Sequence, residues 1–337
     1  MSKILVTGGL GYIGSHTVVE LHNQGYEVVI IDDLSNTSLN VLESIHKITN
    51  SSIKFVELDL KNSVKTKEFV SSNKEIDGVI HFAASKAVGE SVENPLKYYT
   101  NNLFSLTNLL NELKNLNKEI NFIFSSSATV YGDPKILPIT ESEPIKKAES
   151  PYGNTKQIGE EIIKDLVNSS SNFNAISLRY FNPIGSHESA IIGDNPEGIP
   201  NNLMPYILKV HNSEIDHLKI FGSDYNTHDG TGIRDYIHIE DLAKGHLDAL
   251  ECLVNQDRFT DFINLGTGIG SSVMEVVNAF ETVSNKKIPY EIYPKREGDA
   301  ESCYADVKKA EKILNWKSKY DLVSMCNSVY KYSKNTK

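Results

Sequence analysis

Lys3-Ile4-Leu5-Val6-Thr7-Gly8-Gly9-Leu10-Gly11-Tyr12-Ile13-Gly14 sets an apolar, β-branched run, a glycine turn and the start of a helix-like stretch (12–23) in direct succession. A pyrophosphate site requires that order. Glycines permit the tight turn and close backbone approach, and the helix N-terminus presents free N–H groups to the anion. Spacing does not select a subtype, because the turn reads GxGxxG from Gly9 and GxxGxxG from Gly8. The next apolar run, Val28-Val29-Ile30-Ile31, ends at Asp32, 18 residues past Gly14. A carboxylate there accepts from an adenosine ribose hydroxyl and repels a 2′-phosphate, so NAD is expected rather than NADP. Asp33 is expected to be a solvated loop carboxylate. Asp59, closing a third strand, serves either the adenine or a simple turn.

Outward from this turn, short apolar runs at 27–31, 53–57, 78–82, 121–124 and 175–178 alternate with helical patterns at 12–23, 64–71, 95–116 and 152–167. The alternation predicts an α/β fold built on a doubly wound parallel Rossmann sheet with right-handed crossovers. Past Tyr180 the texture changes to loops rich in Gly, Pro and Asn at 181–205 and 222–232. Helices near 241–254, 271–283 and 306–314 and strands near 262–265 and 290–293 follow. The expected division is an NAD-binding domain over 1–180 and a smaller C-terminal α/β substrate lobe over 181–337, some of whose segments return to the first domain.

The composition narrows the partners. A formal charge of −10 over 337 residues argues against nucleic acid or an anionic membrane surface, so an anionic substrate needs locally placed Arg or Lys. Cys252, Cys303 and Cys326 form no CxxC or Cys/His spacing, so neither a disulfide framework nor a metal site is expected. Met1-Ser2-Lys3 runs straight into the first strand and no apolar run reaches membrane-spanning length. A cytoplasmic, reducing location is expected.

Chemistry enters at Pro151-Tyr152-Gly153-Asn154-Thr155-Lys156, where a phenol and an ammonium lie one helical turn apart. An unperturbed Tyr titrates near ~10, and bringing it to about 7 requires roughly 4 kcal/mol of preferential stabilisation of the phenolate. One close cation and the positive ring of an oxidised nicotinamide are suited to supply it. The preceding strand ends in Phe124-Ser125-Ser126-Ser127, where hydroxyls face the ligand crevice. Ser127 is the candidate third member of the constellation.

Further strings extend the pattern: Phe82-Ala83-Ala84-Ser85-Lys86-Ala87-Val88-Gly89-Glu90-Ser91, Ser125-Ser126-Ser127-Ala128-Thr129-Val130-Tyr131-Gly132, Arg179-Tyr180-Phe181-Asn182-Pro183 and Gly230-Thr231-Gly232-Ile233-Arg234-Asp235-Tyr236-Ile237-His238. With the glycine turn and the Tyr/Lys pair, the chain resembles the extended short-chain dehydrogenase/reductase family over nearly its whole length. Within it, the chain resembles the branch that inverts C4 of UDP-hexoses. The resemblance implies Tyr152 as general base, Lys156 on the nicotinamide ribose and lowering the Tyr pKa, and Ser127 as proton relay. It implies that Gly8, Gly11, Tyr12, Ile13, Gly14 and Asp32 line NAD. Asn36, Asp59, Leu60, Phe82, Lys86 and Asn101 would complete that lining, with Phe181 near the nicotinamide. It implies that Asn182, Asn201, Leu203, Phe221, Arg234, Arg296 and Asp299 hold the nucleotide of a UDP-sugar. Guanidinium forks match phosphate oxygens, which favours Arg234 and Arg296 as the pyrophosphate ligands. Asn201-Asn202 would serve equally as helix caps.

The implied reaction is reversible C4 epimerisation, as between UDP-glucose and UDP-galactose. The C4 hydroxyl is oxidised to a 4-keto sugar, the sugar turns about its pyrophosphate linkage, and hydride returns to the other face while NAD stays bound. Cys303 departs from the bulky Tyr that resembles the rule in enzymes restricted to plain hexoses. A small residue beside the hexose leaves room for a C2 N-acetyl group, so UDP-N-acetylglucosamine and UDP-N-acetylgalactosamine are expected substrates as well, unless Tyr304 fills the space. Two rivals are weighed. A nucleotide-sugar 4,6-dehydratase requires an Asp-Glu pair before Val-Tyr-Gly, where this chain has Ala128-Thr129. A non-catalytic NAD-binding redox regulator has no need of the Tyr/Lys pair. The resemblance also implies a homodimer through helices 95–116 and 152–167.

Overall fold

A computed structural model describes residues 2–335 apart from Glu197, Asn255, Glu297 and Gly298. The opening run forms β1 (Lys3–Thr7), in which Ile4, Leu5, Val6 and Thr7 are all buried. Burial on both faces suits a central strand of a parallel sheet. There follow α1 (Tyr12–Asn23), β2 (Glu27–Asp32), α2 (Leu39–Thr49), β3 (Lys54–Glu57), α3 (Ser63–Ser72), β4 (Ile76–His81), α4 (Val88–Glu93), α5 (Pro95–Lys114), β5 (Ile120–Ser127), a 3-10 turn at Ala128–Tyr131, α6 (Pro151–Ser169) and β6 (Phe173–Tyr180). The second half runs β7 (Asn182–Ile184), α7 (Leu203–His211), β8 (Leu218–Phe221), β9 (Ile233–His238), α8 (Ile239–Leu253) and β10 (Thr260–Leu265). It closes with β11 (Gly270–Ser272), α9 (Val273–Ser284), β12 (Tyr290–Tyr293), β13 (Ser302–Cys303), α10 (Lys308–Leu314) and α11 (Leu322–Asn335).

The main sheet is parallel throughout, in the order β10-β6-β5-β4-β1-β2-β3. Alternate residues of its strands feed two cores. Ile4, Val6, Ile30 and Ile80 pack with Val18 and Val19 of α1 and Leu242 and Leu247 of α8. Leu5, Val29, Ile31 and Val79 pack with Leu106 and Leu109 of α5 and Ile163 of α6. Helices therefore cover both faces, as the doubly wound reading expects. The strand order reverses between β1 and β4, and at such a switch point a crevice opens beyond the C-terminal strand ends.

β10, α8 and α10 come from beyond residue 181 yet belong to this sheet and its helical cover, with Ala310 and Leu314 of α10 in the core shared by α1 and α8. The remaining elements form a lobe around β9, which pairs with β7, β11 and β13. Its own core joins Met204 and Ile207 of α7, Leu218 and Ile220 of β8, Phe280 of α9 and Val329 of α11. Among the described residues no helix is long and apolar enough to cross a membrane.

Candidate active site

The glycine turn is shaped by close approach. Gly8 has φ +66°, and a Cβ there would lie 2.8 Å from the Ala83 nitrogen in the loop after β4. A Cβ at Gly14 would lie 2.3 Å from the Gly8 oxygen, so α1 reaches the turn only because that side chain is missing. A Cβ at Gly11 would meet only that same oxygen, at 3.2 Å, and is otherwise unopposed. Gly11 is also the N-cap of α1 and makes no side-chain cap bond, which leaves the first-turn N–H groups free of a side-chain acceptor. This cradle fits the pyrophosphate of a dinucleotide. Gly14→Ala is expected to cost about 1–3 kcal/mol through overpacking and to reduce the NAD carried through purification. Unchanged melting temperature and NAD content would contradict that account.

Asp32 is buried, and its carboxylate accepts from the Leu10 N–H and the Leu34 N–H, both at 3.1 Å. Burial pushes its pKa up and those two bonds pull it back. Asn36 is exposed in the loop beyond. Asp59 accepts from the Lys61 N–H at 2.9 Å, the turn-forming alternative. Leu60 is packed in the core under this edge, with its carbonyl accepting from Asn108 at 3.0 Å. Asn101 donates to the Ser85 hydroxyl at 3.2 Å and accepts from Lys61 at 3.1 Å. Phe82 donates its N–H to the Thr7 carbonyl at 2.9 Å. The exposed Lys86 ammonium lies 6.0 Å from the Tyr12 ring centroid, and the Tyr12 hydroxyl donates to the Gly185 carbonyl at 2.8 Å. Ile13 follows, half-buried, in the first turn of α1.

Tyr152 lies in the first turn of α6, which Pro151 opens and Ser150 caps by accepting from the Gly153 N–H at 3.1 Å. Lys156, one turn on, is 3% exposed, and its ammonium donates to the Ser125 carbonyl at 2.5 Å. That ammonium lies 5.8 Å from the Tyr152 ring centroid and 4.9 Å from that of Phe124. Ser127, at the end of β5, accepts from the Thr129 N–H at 3.2 Å and lies near enough to the Tyr152 phenol to lower its pKa. The three residues singled out in the sequence are thus brought together. Their protonation differs from the expected activation. Burial drives the Tyr152 phenol up to about 12, with Ser127 opposing it, and drives Lys156 down to about 7. In a dry site both groups prefer to be neutral, and Lys156 spends its hydrogen bond on a carbonyl rather than on the phenol.

Beneath them lies a buried pair that the sequence did not single out. Arg179 donates through Nε and Nη2 to the two oxygens of Glu160, at 2.8 and 2.6 Å. The sole advance signals were an arginine inside an apolar strand and a glutamate one turn beyond Lys156 on the same helix.

Across the crevice, Asp299 bridges two guanidinium groups, with Arg296 Nε at 2.9 Å and Arg234 Nη2 at 3.5 Å. Two cations share one carboxylate, leaving a net positive site for an anion. Arg296 also lies 4.8 Å from the Phe221 ring centroid. Asn182 opens β7 and is exposed, as is Asn201, and Leu203 begins α7. The cap of α7 is Asn202, which makes no side-chain cap bond. Cys303 pairs with Arg234 across β13 and β9 and packs against the cluster containing Val130 and Phe181. Burial pushes its thiol up to about 11. Tyr304 lies against Gly270, where a Cβ would come 3.0 Å from its Cδ1.

Over residues 5–329 the chain matches the family model described as GDP-mannose 4,6 dehydratase. It is 49% identical over 332 residues to the UDP-glucose 4-epimerase of Haemophilus influenzae, covering 98% of this chain and 97% of that protein. Its fold matches the crystal structure of UDP-glucose 4-epimerase from Bifidobacterium longum in complex with NAD+ and UDP, with TM-score 0.95, 45% identity and coverage of 99% and 98% of the two chains. It also matches the UDP-Glc/GlcNAc 4-epimerase from Campylobacter jejuni, with TM-score 0.85, 36% identity and coverage of 99% and 100%.

Proposed function

This chain belongs to the UDP-glucose 4-epimerase family of extended short-chain dehydrogenases/reductases, and we propose that Tyr152, Ser127 and Lys156 carry its reversible epimerisation of UDP-hexoses at C4. One observation carries the assignment: Tyr152, Ser127 and Lys156 converge at the C-terminal edge of the sheet whose glycine cradle fits NAD. When bound, NAD supplies an acceptor that takes hydride from C4 and gives it back.

Tyr152 removes the C4 hydroxyl proton as C4 becomes a ketone, with Ser127 relaying it, and returns a proton when the ketone is reduced. Lys156 contributes positive charge beside the phenol. Because burial drives Tyr152 up to about 12 even with Ser127 opposing it, the phenolate requires that charge together with the positive nicotinamide. Inversion requires the 4-keto sugar to present both faces in one site. Binding energy then belongs on the UDP moiety, with the sugar held loosely. Arg234 and Arg296 hold the pyrophosphate, while Asn182, Asn201, Leu203, Phe221 and Asp299 line the rest of the nucleotide site. Asn36, Asp59, Leu60, Phe82, Lys86, Asn101 and Phe181 join the glycine turn and Asp32 around NAD, in a cofactor domain spanning 1–180 and a lobe within 181–337, some of whose segments return to the first domain.

The dehydratase alternative lacks its acid and base. Ala128 has no proton to exchange, and the Thr129 hydroxyl is too weak an acid for elimination at C5 and C6. Incubating the purified protein separately with UDP-galactose and UDP-N-acetylgalactosamine, and resolving products by NMR, tests the whole reading. No C4 epimer of UDP-galactose would overturn it.

Turnover of the N-acetylated pair rests on the small Cys303 side chain. Cys303→Tyr is expected to lower the ratio of N-acetylated to plain turnover by at least about tenfold, as a filled pocket excludes the larger substituent. An unchanged ratio would remove Cys303 from the specificity site. We also propose a homodimer through α5 and α6, supported by the exposed Leu96 and Phe104 on α5. Light scattering that gives a monomer mass would exclude it. Three free cysteines fit a cytoplasmic, reducing location.

A further inference from the structure

Tyr152 and Lys156 share one proton between two sites when the pair is half-titrated. With the proton on lysine the phenol is a base, and with the proton on the phenol neither group can begin the reaction. Burial that favours neutral groups favours the idle arrangement. Something must therefore bias the proton toward Lys156.

The groups facing Lys156 can be named element by element. From β5 come the Ser125 carbonyl and the Phe124 ring. From β4 comes His81, held neutral by a pKa near about 3, and from β6 comes Tyr180, whose hydroxyl donates to Ser125 and whose burial keeps it protonated. On α6 itself stand Tyr152 and Glu160. Glu160 is the one carboxylate among these groups, and it raises the Lys156 pKa against burial. The Tyr152 shift arises from burial and from Ser127 instead.

Glu160 is fixed with unusual completeness. It is 2% exposed, accepts from the Ser126 hydroxyl at 2.5 Å, and takes both arms of Arg179, itself 1% exposed. Arg179 Nη1 donates to the Tyr131 hydroxyl at 3.1 Å, and that hydroxyl donates to Asn264 Oδ1 at 2.7 Å. Asn264 in turn donates to the Ile139 carbonyl at 2.9 Å. One connected set thereby ties α6, β5, the 3-10 turn, β6 and β10 beneath Tyr152, Lys156 and Ser127.

We propose that Glu160, clamped by Arg179 and Ser126, is a positioning residue that keeps the shared proton on Lys156 and so leaves Tyr152 as the base. The proposal rests on the assignment of Tyr152, and its test separates the two. Glu160→Gln with Arg179→Met removes both charges together, so neither is stranded in the core. The purified holoenzyme is followed by thermal melting, by kcat and KM across pH, and by phenolate absorbance taken as the difference from Tyr152→Phe. Without the Glu160 charge, Lys156 gives up its proton at lower pH and Tyr152 keeps its own to higher pH. The double variant is expected to fold, to lose about tenfold in kcat near neutrality with KM unchanged, and to show the acid limb and the phenolate titration both moved up by about one pH unit. A folded double variant with the wild-type limb overturns the proposal and leaves the Tyr152 assignment intact. If that variant does not fold, Arg179→Lys decides, since it keeps both charges and loosens the fork. Its melting temperature is expected to fall while the limb stays, and a limb that moves overturns the role assigned to the charge.

Discussion

Tyr152→Phe is expected to lower kcat by about 10³-fold or more while the protein still folds and still binds NAD and UDP. Positioned proton transfer contributes about 10²–10⁴-fold, and this phenol acts in both halves of each turnover. The phenylalanine ring keeps the packing near Lys156, whose ammonium lies 5.8 Å from the Tyr152 ring centroid, and loses only the hydroxyl that faces Ser127. Folding is therefore expected to change by at most about 1 kcal/mol, the worth of one hydroxyl's hydrogen bonding. Steady-state turnover of UDP-galactose, with melting temperature as the control, is the measurement. A variant within about tenfold of wild type would remove Tyr152 as the base. If biological function were also undiminished, a regulator that uses the fold without chemistry would become the better account.

The largest expected effect on stability lies in the pair below. Glu160→Ala strands the Arg179 guanidinium in the core, and breaking a buried pair from one side costs about 3–5 kcal/mol. For a chain of 337 residues that corresponds to a fall in melting temperature of roughly 4–7 °C. The half-buried Lys118 and Asp77 pair, at 2.8 Å, offers a contrast: its loss is expected to cost about 1 kcal/mol. Calorimetry on Glu160→Ala and Asp77→Ala distinguishes the two. Equal, small changes would mean that Arg179 finds another acceptor once Glu160 is gone.

These two residues also mark the limit of what was legible beforehand. Tyr152, Lys156 and Ser127 could be read because the first two share a helix turn and the third closes a strand. The Glu160 and Arg179 pairing depends on strand register, which sets Ser126 opposite Arg179. No local spacing encodes that contact. The same holds for the fold. Buried strands such as β1 announce themselves by continuous apolar runs, but β10 is placed beside β6 by long-range pairing. α2 shows the opposite case: Val41, Leu42, Ile45 and Ile48 recur at helical spacing and pack on the core, so this helix was legible although the alternation above does not include it. β9 was missed because Arg234 and Asp235 interrupt a short apolar run whose burial comes from its neighbours in the lobe. At Asp59 the sequence left adenine contact and turn equally open, and the bond from Lys61 forms a turn without excluding the adenine contact.

The interleaving of β10, α8 and α10 with the first half bears on protein engineering. A fragment ending at residue 180 would keep six strands but expose the β6 edge and strip α1 of the helix that covers it. An open apolar edge of that kind invites aggregation. Chimeras that exchange the lobe as a cassette should therefore leave 239–265 and 308–316 with the recipient and splice around both, so that the grafted pieces arrive as three separate inserts.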